Sequence, residues 1–373
     1  MLDMKIKRTG YLLIFLLLGL GQVQATQKDN YKITTVATDM GIPWAMAFVS
    51  NDTLLVTDRD GYLTQLDLTT GKKTDISGLP WDILSLGQGG LLDVALPPNY
   101  AKSAWIYFSY SKDIKGQGTT TLARAKLEGH TLIDWQDIFV SKSISRKYIH
   151  FAGRITFDDQ GHVFLSIGDR GVRPNAQDLT NHAGSIIRLR HDGRVPTDNP
   201  FVGNDQILDE IWSYGHRNPQ GLWFNARTQH LWSIEHGPRG GDEINLIQKG
   251  RNYGWPIISY GKEYMTPFAV GEGTHKEGME QPIKVFTPSI APSSLIQYQG
   301  DAFPNWKGNL LSGALKLRHL NRVVLDKNNQ AIEEIRLLES LNARIRALIE
   351  NTDGLLYLST DDGKILRLEP NNE

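Results

Sequence analysis

The chain has 373 residues, 40% hydrophobic and 22% charged, enough to bury a large core in one domain or two. Its 40 Lys and Arg balance 41 Asp and Glu, with no basic run or acidic tail, which argues against a nucleic-acid partner and leaves a small neutral ligand compatible. Cysteine is absent, which excludes disulfides, a thiol nucleophile and a cysteine-ligated metal.

Residues 1–25 read as a secretory signal peptide. Lys5, Lys7 and Arg8 form a positive start, Tyr11 to Gly21 an apolar run, and Val23-Gln24-Ala25 supplies small residues where a peptidase would cut. The apolar run falls short of the about 20 residues that a bilayer span requires. An uncleaved N-terminal anchor is the alternative reading. No later segment reads as transmembrane. A polar body behind such a leader predicts a periplasmic mature chain, residues 26–373, folded as one domain.

Beyond the leader, short apolar runs alternate with turn residues, and helical periodicity is scarce. Thr53 to Leu68 reads strand, Asp-Arg-Asp-Gly turn, strand. Arg154 to Ile167 repeats this around Asp-Asp-Gln-Gly, Gly221 to Ile234 around Asn225 to Gln229, and Ile345 to Leu358 around Asn-Thr-Asp-Gly. KILRLEP near the end is a further strand. Gly and Asn in such turns tolerate the positive φ that hairpins need. The hairpins recur at roughly 60 residues or multiples of it, which predicts an all-β propeller of four-stranded antiparallel blades. Six blades of about 58 residues fit, and seven of about 50 fit as well.

In a propeller, loops from several blades converge on one face, where a ligand would sit. Five loop segments carry candidate chemistry. In LGQGGLLDVAL, Gln88 offers donors and an acceptor between close-approach glycines; taken alone, the stretch fits a plain blade-edge turn better. In YIHFAGRITF, His150 stands just before a strand and suits a general base, or a surface hydrogen bond. SYGHRNPQGLWF carries Arg217, a fork matched to a carboxylate or quinone oxygen, and Asn218, or else a structural turn. In IEHGPRGGDEINLIQKGRNYGWP, Asp242 and Glu243 offer hard oxygens and a tight Gly-Pro loop offers carbonyls, a set that suits calcium better than zinc. Solvated loop charges are the commoner use of such residues. Near the C-terminus, Lys316 joins Arg344 and Arg346, two apart on an expected strand, as a cationic pocket or an exposed polar face.

Taken in order, GQGGLLDVAL, IHFAGRITF with SIGD, SYGHRNPQGLWF, EHGPRGGDEINLI with GRNYGWP, GALK and RIR resemble the soluble PQQ-dependent glucose and aldose sugar dehydrogenases, the glucose/sorbosone dehydrogenase family. The matching stretches run from about Leu86 to Arg346. The resemblance implies a six-bladed β-propeller with pyrroloquinoline quinone (PQQ) flat on one face, and oxidation of an aldose at C1 to the lactone. It implies His150 as the base for the anomeric hydroxyl and Arg217 as the group that polarises the quinone. Gln88, Asn218, Lys316, Arg344, Arg346 and, on a loop hard to align, Tyr264 would hold the cofactor. The carbonyls of Gly237 and Pro238 would bind its Ca2+, and Glu243 with the Tyr253 carbonyl a second Ca2+. An unidentified electron acceptor is implied, and the lack of long insertions suggests a monomer. One departure stands out: the glucose enzyme has Asp before the catalytic His, and here that residue is Ile149. That removes a candidate partner for the base. Rival readings are a calcium-dependent propeller lactonase or esterase, and a non-catalytic sugar-binding propeller.

Overall fold

The computed structural model describes residues 31–371, so the leader expected at 1–25 lies outside the described residues. The strands form six four-stranded antiparallel sheets. Five blades are contiguous in sequence, spanning 43–75, 91–140, 155–214, 219–286 and 296–337. The sixth joins Ile345–Glu350, Leu356–Thr360 and Lys364–Pro370 to the N-terminal strand Tyr31–Ala37, paired Tyr31 to Pro370 and Ile33 to Leu368. The two ends of the chain thus close the ring within one sheet, and six blades is the answer where periodicity alone allowed seven.

Each hairpin read from the sequence is present. Thr53–Asp58 pairs with Tyr62–Asp67, Ile155–Phe157 with His162–Ile167, Pro219–Asn225 with His230–Glu235, and Ile345–Glu350 with Leu356–Thr360. The mixture of apolar runs and alternation has a physical cause. Side chains alternate across a strand, and here both faces of a blade meet another blade. Leu54 and Val56 pack toward the sixth blade while Leu55 packs toward the second. Tyr107 faces the third blade and Phe108 the first. Six apolar clusters result, one at each blade interface.

The axis of the ring is held by Arg154. This buried side chain stacks over Trp44 and donates to the carbonyls of Trp44, Gln220, Ser293 and Arg346 and to the Asp93 carboxylate. With its own blade, it therefore touches all six. On one side of it lies a channel cavity of about 330 Å³, walled by the innermost strands and including Phe48, Phe157, Trp223 and Ile349. On the other side lie the loops that carry the candidate residues.

Candidate active site

Hairpin direction decides which loops meet. The segments before residues 43, 91, 155, 219, 296 and 345 all emerge on the same face, as do the turns after 58, 167, 235, 313 and 360. There a cavity of about 190 Å³ is lined by Gln88, Asn218, Arg344 and Arg346, with Trp44, Arg59, Phe151 and His236 among the other walls. Residues more than 250 positions apart in sequence thus share one chamber. A smaller adjoining recess is lined by Arg217, Glu235, His236, Gly237, Pro238, Glu243, Tyr253 and Trp255.

His150 sits at the chamber's edge. Its backbone N–H donates to Gln88 Oε1 at 2.7 Å, and the chain continues into Phe151 and Ala152 on the wall. His150 and Ala152 have φ of 53° and 56°, values that non-glycine residues rarely hold unless their surroundings impose them. The surroundings here are explicit. Buried Arg170 donates to the carbonyls of Gly118, Ser143, Lys147 and Ile149 and lies over the Phe151 ring. A Cβ on Gly168 would come within 2.3 Å of the His150 carbonyl, so only glycine permits this approach.

The His150 ring does have a carboxylate partner. Its Nδ1 lies 2.6 Å from Asp169 Oδ1, while Asp169 also accepts from Gly171 N at 2.7 Å and from Trp255 Nε1 at 2.8 Å. The partner that Ile149 cannot supply comes instead from the next loop, in the SIGD stretch. Sequence reasoning missed it, although the hairpin register that sets Ser166 beside Arg154 brings residue 169 toward residue 150. Burial lowers the His150 pKa below the ordinary imidazole value, with Arg217 and Arg170 acting the same way; Asp169 opposes this without reversing it. Burial pushes the Asp169 carboxyl up, but His150, Gly171 and Trp255 outweigh that and hold it below the usual range. The result is a neutral imidazole of fixed orientation, Nδ1–H toward Asp169 and Nε2 without a protein partner.

Arg217 is also fixed. Its Nη1 donates to the His236 carbonyl at 3.0 Å, its Nη2 lies 3.5 Å from the Tyr264 hydroxyl, and it stacks near Trp255. Glu235 arranges this loop by accepting from Arg217 N at 2.6 Å and from His216 Nδ1 at 2.9 Å. Gln88 spends its carbonyl oxygen on His150, and Asn218 spends its oxygen on Gln220 at 3.3 Å, which leaves both amide NH2 groups for the chamber. His236 stands between chamber and recess, its Nε2 donating to the Pro292 carbonyl, and burial pushes its pKa down to about 3.

The arginine pair converges as expected but is partly neutralised. Asp361 accepts from Arg344 Nε at 2.7 Å and from Arg346 Nε and Nη2 at 2.8 and 2.9 Å. Lys316 follows Leu315 of the chamber wall and has an exposed side chain with no carboxylate partner. Tyr264 lies at the rim, more than half exposed.

The four residues expected to bind calcium all line the recess. Asp242 does not: its oxygens accept from Gly237 N and Ala291 N, and burial raises it to about 6. Burial, reinforced by the nearby Glu235 charge, holds Glu243 well above the usual carboxylate range. Such a carboxylate suits a divalent cation, which supplies the charge that burial denies. Among the described residues no three His, Cys, Asp or Glu side chains cluster around a common point. A cation here would therefore take backbone carbonyls as well, the mixed oxygen set that calcium accepts. Pro238 O already accepts from Ser289 Oγ and keeps one lone pair.

The structure is a closed six-bladed propeller whose site face holds a buried imidazole–carboxylate pair beside a chamber lined by amide and guanidinium groups. Residues 40–367 match the family model described as Glucose / Sorbosone dehydrogenase. The chain is 40% identical over 339 residues to "Aldose sugar dehydrogenase YliI" of Escherichia coli, covering 88% of this chain and 90% of that one. Among solved structures it resembles the soluble aldose sugar dehydrogenase from Escherichia coli in its apo form, with a TM-score of 0.87 and 37% identity over 91% of this chain and 100% of that one. It also resembles the PQQ-bound aldose sugar dehydrogenase from Streptomyces coelicolor, with a TM-score of 0.76 and 28% identity over 92% of this chain and 99% of that one. The chain belongs to the glucose/sorbosone dehydrogenase family.

Proposed function

We propose that this protein oxidises aldose sugars at C1 to the lactone, using PQQ and Ca2+, in the periplasm. The observation that carries the reading is the His150–Asp169 pair at the edge of a chamber lined with amide and guanidinium donors. PQQ is a planar tricarboxylate, and the amides of Gln88 and Asn218 with Arg344, Arg346 and Lys316 match its oxygens. Tyr264 would close over it from the rim. The carbonyls of Gly237 and Pro238 would hold the cofactor's calcium, and Glu243 with the Tyr253 carbonyl a second. When bound, PQQ supplies the two-electron oxidant that takes hydride from the sugar, and calcium polarises its carbonyl.

The rest falls to the chain. His150 Nε2 accepts the proton of the C1 hydroxyl, which loads negative charge on that oxygen as the C–H bond breaks. Asp169 fixes the tautomer that leaves Nε2 basic and stabilises the imidazolium that forms. Arg217, in the adjoining recess, places a permanent positive charge near enough to the base to favour its neutral form. His150→Gln tests the role of the base. It should leave PQQ binding intact, followed by thermal stabilisation on adding PQQ, and cut turnover by about 10²–10⁴. Unchanged turnover would remove His150 from the mechanism.

A further inference from the structure

The Asp-Arg-Asp-Gly turn at 58–61 reads in the sequence only as a hairpin connection, yet the fold brings its arginine to the site. Arg59 lines the chamber together with Gln88, Asn218, Arg344 and Arg346. Its backbone is pinned on both sides. Arg59 N donates to the Ile42 carbonyl at 3.0 Å, and its own carbonyl accepts from Leu91 N and Ser85 Oγ, each at 3.2 Å. Gly90 makes this approach possible. A Cβ there would collide with the Arg59 carbonyl, and its φ of 142° favours glycine in any case. One glycine of the GQGG stretch therefore seats an arginine of the preceding blade, beyond shaping its own turn.

The side chain, in contrast, has no partner. It is half-buried, and its guanidinium makes no hydrogen bond, ion pair or aromatic contact among the described residues. Asp58, the carboxylate beside it in sequence, is engaged by Ile42 N and Asp60 N at 3.2 and 3.1 Å. Asp60 is exposed at the tip of the turn and pairs with no cation. Of the three guanidiniums that line the chamber, the other two share Asp361 and are partly neutralised by it. Arg59 is the one whose charge and donors are unmet. A guanidinium drawn partly out of water is unfavourable until an anion completes it, and its planar fork matches a carboxylate with two parallel bonds.

We propose that Arg59 grips a carboxylate of the cofactor, an inference that rests on the PQQ reading above and adds a binding residue to it. The cofactor would bring three carboxylates to this end of the propeller. Arg344, Arg346 and Asp361 together leave one net positive charge there, and exposed Lys316 supplies a second. Arg59 supplies a third, already held in place by its backbone. It also completes the ring of blades. Gln88, His150, Asn218, Lys316 and Arg346 come from the second to sixth blades or the segments that lead into them, and the first blade has no other candidate.

The test titrates PQQ into the cofactor-free protein in the presence of calcium. Tryptophan fluorescence follows binding, with Trp44 and Trp255 at the site as reporters. Arg59→Gln keeps an amide donor but loses the charge and the fork. It should raise the PQQ dissociation constant by about tenfold to 10²-fold. Arg59→Lys restores the charge without the fork and should recover part of that loss. The thermal midpoint of either cofactor-free variant should stay within about 2 °C of the parent, because no internal contact is removed. The stabilisation gained on adding PQQ should shrink in step with the affinity. An unchanged dissociation constant in Arg59→Gln would overturn the proposal, and a raised KM for the aldose beside it would assign Arg59 to the sugar. A loss of affinity matched by a fall in the cofactor-free midpoint would overturn it too, by making Arg59 a structural residue. Failure of the parent protein itself to bind PQQ would instead strike the PQQ reading, and this inference with it.

Discussion

At the scale of single residues, the site works by assigning each polar group a partner that sets its protonation and direction. His150 is the clearest case, since burial favours its neutral form and Asp169 fixes which nitrogen carries the proton. The acid limb of kcat/KM against pH should therefore fall below 6.5, because the base stays unprotonated to lower pH than a free imidazole. Asp169→Asn keeps the shape but removes a charge that raises the His150 pKa. The limb should then move lower still, while turnover drops by about tenfold to 10²-fold through lost orientation. A limb unmoved or shifted upward would show that Asp169 acts only structurally. Residue types and their loop positions were legible in the sequence, and so was the chemistry they suit. Their partners were not. Asp169, Glu235 and Asp361 lie 15 to 19 positions from the residues they hold, across hairpins whose exact register no spacing rule supplies.

At the scale of elements, hairpins were the most legible feature, because turn residues between apolar runs act locally. Strand faces were harder to assign. Alternation marks a strand with one wet face, and here Leu54, Leu55 and Val56 are all buried because neighbouring blades cover both sides. The N-terminal strand could not be assigned from its own neighbourhood either, since its partner Lys364–Pro370 lies at the other end of the chain. That strand covers the outer edge of the last blade. A mature chain shortened to begin after Ala37 would expose the edge of Lys364–Pro370. Its thermal midpoint should fall by roughly 5 °C or more, with a tendency to aggregate. An unchanged midpoint in scanning calorimetry would mean that closure contributes little.

At the scale of the whole molecule, six similar sheets need something to fix their common axis, and Arg154 supplies contacts to every blade. The sequence showed this arginine only as the first residue of a hairpin, because a contact to six blades has no local signature. Arg154→Met should destabilise the fold by about 3–5 kcal/mol in urea unfolding, since it leaves Asp93 buried without its charge partner. Adding Asp93→Asn should recover part of that loss, because the amide oxygen can still accept from Ile155 N. No recovery would mean that the carbonyl contacts, rather than the ion pair, hold the axis. The same axis divides the channel cavity from the site face, and all the proposed chemistry lies on the site side. The central claim is that this chamber makes the chain a PQQ- and calcium-dependent aldose dehydrogenase. Its most direct test is reconstitution of the cofactor-free protein, with dye reduction followed on a panel of aldoses. Activity that appears only when PQQ and calcium are both added is the predicted result. No dye reduction with any aldose, and no shift in stability on adding PQQ, would contradict it.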